Sequence, residues 1–144
     1  MTTYHDLPTP VTLSSRRLPA AVPSLRALIV DPQPAAGLRL ALALSNEGIA
    51  SHAVANGVEA LSGLSRWEPN VVVLDVTPPY FASVQLARFF RQSGLAVSRI
   101  IIAFTDLDIS DLSVHLRGDE FDGYLQKRPS SGELAVYIRS FVML

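Results

Sequence analysis

From Leu25 onward, short apolar runs alternate with segments in which apolar residues recur every three or four positions. Continuous apolar runs bounded by turn residues predict buried strands, and the longer spacing predicts helices. The predicted strands cover residues 25–30, 49–54, 71–74, 99–104 and 122–125, and the predicted helices cover 34–46, 58–64, 83–93, 111–117 and 133–142. Five strands therefore alternate with five helices along the chain.

The predicted strands are apolar throughout instead of alternating with polar residues. This is typical of a parallel sheet that is covered by helices on both faces. Right-handed crossovers then favour an α/β fold of the flavodoxin-like (βα)5 kind, a doubly wound parallel sheet with strand order 2-1-3-4-5. In such a sheet, ligands bind at the carboxyl ends of the strands, near the switch point between strands 1 and 3.

The first 24 residues differ in composition from the rest. They contain four prolines, with serine and threonine between them. Proline fixes φ and lacks a backbone donor, so residues 1–24 are predicted to be a flexible, extended tail. Residues 25–144 are then expected to form one domain, which agrees with a length of 144 residues.

Composition narrows the function classes. The chain is 49% hydrophobic and 17% charged, with a formal net charge of -1 and no cysteine. The absence of cysteine excludes disulfides and thiolate metal sites, and the charge argues against direct nucleic-acid binding. No apolar run reaches the roughly 18 residues of a membrane span, and no secretory signal is visible at the N-terminus. The sequence predicts a cytoplasmic protein with no membrane partner.

Four polar residues stand at the ends of predicted strands: Asp31, Asp75, Thr105 and Lys127. They follow strands 1, 3, 4 and 5, which are consecutive neighbours in the predicted order. Their side chains are therefore expected to meet in one cleft at the carboxyl edge. Two carboxylates are suitable ligands for a hard cation such as Mg²⁺. A cation, a lysine and a hydroxyl together would neutralise a phosphoryl group that arrives on a carboxylate.

From Leu25 to its end, the chain resembles the receiver domain of two-component response regulators. The matching segments, in chain order, are Ala27-Leu-Ile-Val-Asp31, Asn56-Gly-Val-Glu-Ala-Leu61, Pro69-Asn-Val-Val-Val-Leu-Asp75, Pro79, Ile101-Ile-Ala-Phe-Thr105 and Gly123-Tyr-Leu-Gln-Lys127. Several such segments in order, on the expected strand ends, form a specific signal.

The resemblance implies a signalling domain in a phosphorelay, not an enzyme. In that role Asp75 accepts a phosphoryl group from a histidine kinase or phosphotransfer protein, and Thr105 and Lys127 contact the phosphoryl oxygens. Tyr124 occupies the position of the family's switch aromatic, although a place in the core is equally open to it. Asp31, Asp75 and the backbone carbonyl of Thr77 are the implied metal ligands.

The resemblance also implies a downstream protein partner. It points to a possible homodimer through the face formed by helix 4, strand 5 and helix 5. On that face Val136, Tyr137 and Val142 provide apolar atoms beyond the needs of the core.

Three positions depart from the family pattern. Pro32 replaces the second residue of an acidic pair and has no side-chain oxygen, so Mg²⁺ binding is expected to be weak or absent. Asp106 stands where the family usually has a small residue and adds negative charge unless it turns outward. The usual Lys-Pro pair is Lys127-Arg128 here, so the loop is expected to be rebuilt around Arg128-Pro129, because a cis bond before a non-proline costs about 3–4 kcal/mol.

These departures leave two hypotheses about function open. One is a receiver that is phosphorylated on Asp75, and the other is a degenerate pseudo-receiver that acts as a phosphorylation-independent interaction module. A third class, a cofactor-binding flavodoxin-like protein, is opposed by Pro32-Gln33-Pro34, because no Gly-rich phosphate loop follows the first strand.

Overall fold

A computed structural model describes residues 10–20, 24–77, 81–94, 98–127 and 132–143. The strands are β1 (Val11–Thr12), β2 (Arg26–Val30), β3 (Ala50–Val54), β4 (Val71–Val76), β5 (Ile100–Thr105) and β6 (Gly123–Gln126). The helices are α1 (Pro34–Asn46), α2 (Gly57–Arg66), α3 (Phe81–Gln92), α4 (Ile109–Ser113) and α5 (Gly132–Arg139). The five predicted strands correspond to β2 to β6, and β1 is an additional strand.

The strand order across the sheet is β3-β2-β4-β5-β6-β1. Strands β2 to β6 run parallel to one another, so the predicted flavodoxin-like order is confirmed, with β1 added at one edge. All six residues of the central strand β4 are buried, which requires apolar cover on both faces.

The sheet separates two apolar cores. On one face, Leu28, Val72 and Leu74 pack with residues of α2, α3 and α4, and Phe90 is the largest helical contributor. On the other face, Ile29, Val73 and Ile102 pack with residues of α1 and α5. Successive residues of a strand point to opposite faces, so the continuous apolar runs supply both cores. Within the described ranges, no helix combines the length and apolar character needed to cross a bilayer.

Local sequence signals explain where two helices begin and end. Asn56 caps α2, since its side chain accepts a hydrogen bond from the backbone N–H of Glu59 at 2.9 Å. The carboxylate of Glu59 accepts one from the N–H of Ala55 at 2.7 Å, which completes a reciprocal cap. Pro34 occupies the first turn of α1, and Gly48 follows its end with a φ of 86° that favours glycine.

The N-terminal arm, which we define as residues 10–20, is bound to the domain. β1 pairs antiparallel with β6 in the register Val11↔Tyr124 and Thr12↔Gly123. Leu18 is 2% exposed and forms an isolated bridge with Val142. The prediction of a flexible tail is therefore wrong for residues 10–20. The edge of β6 offers unpaired backbone groups, and a short edge strand tolerates a neighbouring proline.

The arm changes the face formed by α4, β6 and α5. Tyr137 was expected to contribute exposed apolar atoms there, but it is buried, and its hydroxyl donates to the carbonyl of Val11 at 2.9 Å. Val142 is half-buried beside Leu18, whereas Val136 remains 69% exposed. The predicted apolar surface is thus largely covered by the chain's own N-terminal residues.

The two edges of the sheet differ. At the β6 edge the outermost strand is β1, which is two residues long and directly follows Pro10. At the opposite edge, β3 is five residues long and, among the described residues, pairs only with β2. Its sequence, Ala-Ser-His-Ala-Val, contains neither proline nor lysine, the residues that commonly protect an edge strand from pairing.

We expect Gly123→Ala to lower the free energy of unfolding by about 1–3 kcal/mol, the range for forcing extra atoms into a packed site. A Cβ at this position would lie 2.8 Å from the ring carbon Cζ of Tyr137, closer than carbon atoms normally approach. Urea denaturation measures the loss. Gly57→Ala is the control, because a Cβ there meets only the two methyl groups of Leu86, at 3.3 and 4.0 Å. Equal stabilities for the two variants would contradict the steric argument.

Candidate functional site

The carboxyl edge of the sheet brings the predicted site residues to neighbouring strand ends. Asp75 is the second-last residue of β4, and Thr105 is the last residue of β5, where it is aligned with Val76. Asp31 directly follows β2, and Lys127 directly follows β6. The strand pairing that the apolar runs predict is therefore what places these four side chains on one edge.

The centre of this edge is an ion pair between the carboxylate of Asp75 and the ammonium of Lys127. Asp75 is 6% exposed, and the side chain of Lys127 is about a quarter exposed. Lys127 is the single lysine of the sequence, and its Nζ lies 5.7 Å from the centre of the Phe104 ring. The predicted contact between a buried acid and a lysine is thus present in the structure.

The pKa of Asp75 is raised above its ordinary value, chiefly because burial disfavours the charged carboxylate. The hydrogen bond and the charge of Lys127 lower this pKa, and a hydrogen bond with the side chain of Thr77 lowers it further. The like charge of Asp31 raises it, which indicates that the two carboxylates lie close enough to interact. Burial prevails over the cationic partner.

Asp31 is 7% exposed, and its Oδ1 accepts a hydrogen bond from the backbone N–H of Gln33 at 2.8 Å. One carboxylate oxygen therefore fixes the turn that contains Pro32, which is exposed. Thr77 is half-buried directly after β4. Within the part of the chain that the structure describes, no three His, Cys, Asp or Glu side chains form a metal-binding group. The oxygen donors of Asp31, Asp75 and the Thr77 carbonyl are nevertheless of the kind that Mg²⁺ prefers.

Thr105 is fully buried, and its hydroxyl is bound to backbone groups. Its Oγ1 donates to the carbonyl of Val76 at 2.6 Å and accepts from the N–H of Leu107 at 3.1 Å. The hydroxyl holds the end of β5 against β4 in this structure. A contact with a phosphoryl group on Asp75 would require it to exchange the Val76 carbonyl for a phosphoryl oxygen.

Tyr124 lies in the core, at 2% exposure, and its hydroxyl donates to the carbonyl of Leu107. The core position that the sequence left open is therefore the one observed. Asp106 is exposed at the surface, so this carboxylate is turned outward. The sequence predicted added negative charge at the site unless Asp106 turned outward, and that exception applies. The loop that was expected to be rebuilt around Arg128-Pro129 lies outside the described residues.

Sequence reasoning missed two hydroxyl groups that act on Asp75. The hydroxyl of Ser83, near the start of α3, donates to the backbone carbonyl of Asp75 at 2.9 Å. The side chain of Thr77 lowers the pKa of Asp75, although the sequence pointed only to its carbonyl. A hydroxyl residue in the first turn of the helix after the acid was the available signal, but spacing alone does not show which way such a side chain points.

The chain is similar to curated response regulators and to solved receiver domains, although no protein-family model matches it. It is 30% identical to the response regulator MprA of Mycobacterium leprae over 118 residues, which cover 82% of the chain and 51% of the relative. It is 27% identical to the DNA-binding response regulator MtrA of Mycolicibacterium smegmatis over 116 residues, 80% of the chain and 49% of the relative. The chain thus spans about half the length of the curated relatives it matches.

Two solved structures show the same similarity. The signal receiver domain of a response regulator from Bermanella marisrubri has a TM-score of 0.71 and 26% identity, and the match covers 82% of this chain and 98% of that one. The response regulator TrrA from Thermotoga maritima, solved in complex with Mg²⁺-BeF, has a TM-score of 0.69 and 26% identity over 81% and 98%.

We expect Asp75→Asn to make the protein more stable than the wild type at neutral pH. Because its pKa is raised, Asp75 holds its proton more tightly in the folded than in the unfolded state. This stabilising contribution is fully present below the ordinary value of 3.8 and is lost as the pH rises through the raised pKa. The neutral amide avoids that loss.

Urea denaturation at several pH values measures the stability difference, which should shrink as the pH falls toward 3.8. Asp106→Asn makes the same chemical change at an exposed position and should show no such trend. A less stable Asp75→Asn variant at neutral pH would mean that the ion pair with Lys127 outweighs the cost of burial.

Proposed function

We propose that the chain, which is similar to the receiver domains of response regulators in fold and in sequence, accepts a phosphoryl group on Asp75 and signals to a partner protein. The observation that supports this proposal best is the ion pair between Asp75 and Lys127 at the carboxyl end of the sheet. It joins a carboxylate nucleophile to a fixed cation at the place where doubly wound sheets bind their ligands.

The chemistry follows from these two side chains. A carboxylate oxygen of Asp75 attacks the phosphorus of a phosphohistidine, the P–N bond breaks, and the imidazole leaves with the bonding electrons. Phosphoryl transfer is catalysed mainly by positioning and by neutralisation of charge on the phosphoryl oxygens. Lys127 supplies one positive charge for those oxygens, and Ser83 holds the backbone of Asp75 through its carbonyl.

Asp31, Asp75 and the backbone carbonyl of Thr77 are the groups that would hold Mg²⁺. When bound, the ion would neutralise further charge on the phosphoryl oxygens. Pro32 supplies no side-chain oxygen where a second acid would provide one, and one oxygen of Asp31 already accepts the N–H of Gln33. We therefore propose that Mg²⁺ binds weakly, because water must fill the remaining positions of an octahedral shell.

The phosphoryl donor in this proposal is a histidine kinase or a phosphotransfer protein, and the recipient of the signal is a protein partner. One of the curated relatives is named as a DNA-binding response regulator, but that name describes a protein about twice as long as the matched region. A homodimer through α4, β6 and α5 would have to include the N-terminal arm in its interface, because the arm covers Tyr137.

We expect an acyl phosphate with Mg²⁺ to phosphorylate the protein once, on Asp75, as measured by intact mass. Asp75→Asn should abolish the label. Pro32→Asp should strengthen Mg²⁺ binding and increase the labelled fraction, because a second carboxylate beside Asp31 adds negative charge and a ligand for the cation.

Gln33→Asp is the matched control for charge, since it adds the same carboxylate one residue further on, also at an exposed position. It should label no better than the wild type. Complete labelling of the wild type at low Mg²⁺ would show that Pro32 does no harm. No label on any variant with an intact Asp75 would overturn the proposed phosphoacceptor role.

A further inference from the structure

A second buried carboxylate lies away from the candidate site, at the amino end of β6. Asp122 is fully buried, and each of its two carboxylate oxygens accepts two hydrogen bonds. Oδ2 accepts the backbone N–H of Ile101 at 2.8 Å and the guanidinium of Arg91 from α3. Oδ1 accepts the hydroxyl of Ser14 and the guanidinium of Arg16, each at 2.6 Å. Half of the donors on this carboxylate therefore come from the N-terminal arm.

The arm makes two further kinds of contact with the domain. Its backbone adds an antiparallel strand to β6, and the N–H of Leu13 donates to the carbonyl of Asp122 at 2.8 Å. Leu18 is the apolar anchor: it is buried, its N–H donates to the carbonyl of Phe141 at 2.7 Å, and its carbonyl accepts the N–H of Met143 at 2.9 Å.

These contacts have the form of peptide recognition at a sheet edge, in which backbone hydrogen bonds give affinity and side-chain pockets give specificity. We propose that the groove between β6 and α5, with Asp122 at its end, is a binding site for an extended segment of the pattern Leu-Ser-x-Arg-x-Leu. In the single chain the arm fills this groove through Ser14, Arg16 and Leu18, while the side chain of Leu13 packs on the α4 face of the sheet. The same arm from a second copy of the chain is the partner that fits, and it binds by replacing the first.

The partner is defined by the contacts themselves. Residues 11–18 are the segment that donates hydrogen bonds to Asp122, pairs with the edge of β6 and buries Leu18. An arm in the same chain has the advantage of a high effective concentration, so an arm from another copy competes poorly until the resident one is weakened. Exchange of an identical segment between two copies needs no new contact.

The first test weakens the resident arm and leaves the groove intact. Arg16→Ala in the full chain removes one donor from Asp122, and a fluorescent peptide with the sequence of residues 10–20 then reports binding through its anisotropy. We expect this peptide to bind the variant at least about tenfold more tightly than it binds the wild type, whose groove is filled. A peptide in which arginine 16 is replaced by alanine should lose that affinity.

Arg66→Ala is the matched control, since it removes an equal charge from an exposed position on α2 and should leave peptide binding at the wild-type level. Circular dichroism establishes that each variant is folded. If Arg16→Ala does not fold, Ser14→Ala weakens the arm more mildly and replaces it. Equal peptide affinities for the wild type and the weakened variants would overturn the proposal and make the arm a fixed part of the fold.

The second test asks whether two copies exchange the arm. Asp122→Asn keeps an intact arm but has a defective groove, whereas Arg16→Ala has an intact groove but a defective arm. Mixed in equal amounts, the two chains should form a one-to-one dimer in sedimentation, although each alone stays monomeric. Two monomers in the mixture would contradict strand exchange. Neither test involves phosphorylation, so both outcomes are independent of the role of Asp75.

Discussion

A carboxylate in the most deeply buried strand of the sheet sets the conditions for the candidate site. β4 is covered on both faces, and Asp75 is the one ionisable group within it. Burial of that group is unfavourable in its charged form, so it needs a cation within reach. Lys127 meets this need because β5 and β6 continue the sheet in parallel. The carboxyl end of β6, which Lys127 follows, therefore lies at the same edge as Asp75.

The groups around Asp75 act in two ways: some change the energy of its charge, and others hold its backbone in place. Lys127 and Asp31 act on its charge in opposite senses, whereas Ser83 binds its main chain. Thr105 ties β5 to β4 through the carbonyl of Val76. The carboxylate of Asp75 is thus held by the two strands and the helix that surround it, so its position depends on the sheet more than on any loop.

Much of this was predictable from sequence because the signals are local and repeated. Continuous apolar runs of β-branched residues define β4 and β5, and their polar ends mark Asp75 and Thr105 without further information. Helix limits were less exact: α4 begins at Ile109, two residues before the predicted start at Asp111, because its cap lies in a polar stretch with no apolar periodicity. The direction in which the Thr105 hydroxyl points depends on contacts across strands, which spacing does not encode.

The structure of the N-terminal arm, by contrast, could not be predicted from the sequence. Its prolines and hydroxyl residues are typical of unstructured segments, and no periodic pattern marks β1. The arm is held by the ion pair between Arg16 and Asp122, which are more than a hundred positions apart, and by strand pairing with the edge of β6. Such a partner is recognisable only once the fold has placed Asp122 beside that edge, so composition alone gave the wrong expectation.

The unequal edges of the sheet limit how copies of this chain can assemble. Growth of a continuous sheet from molecule to molecule needs two edges that can accept a strand, one on each side. Here the β6 side ends in a two-residue strand next to Pro10, and β3 is the longer edge that remains. While its own arm occupies the β6 edge, a molecule can join one other molecule through β3, after which no free edge is left. Association through β3 would therefore close at a pair of molecules and would not extend into a fibre.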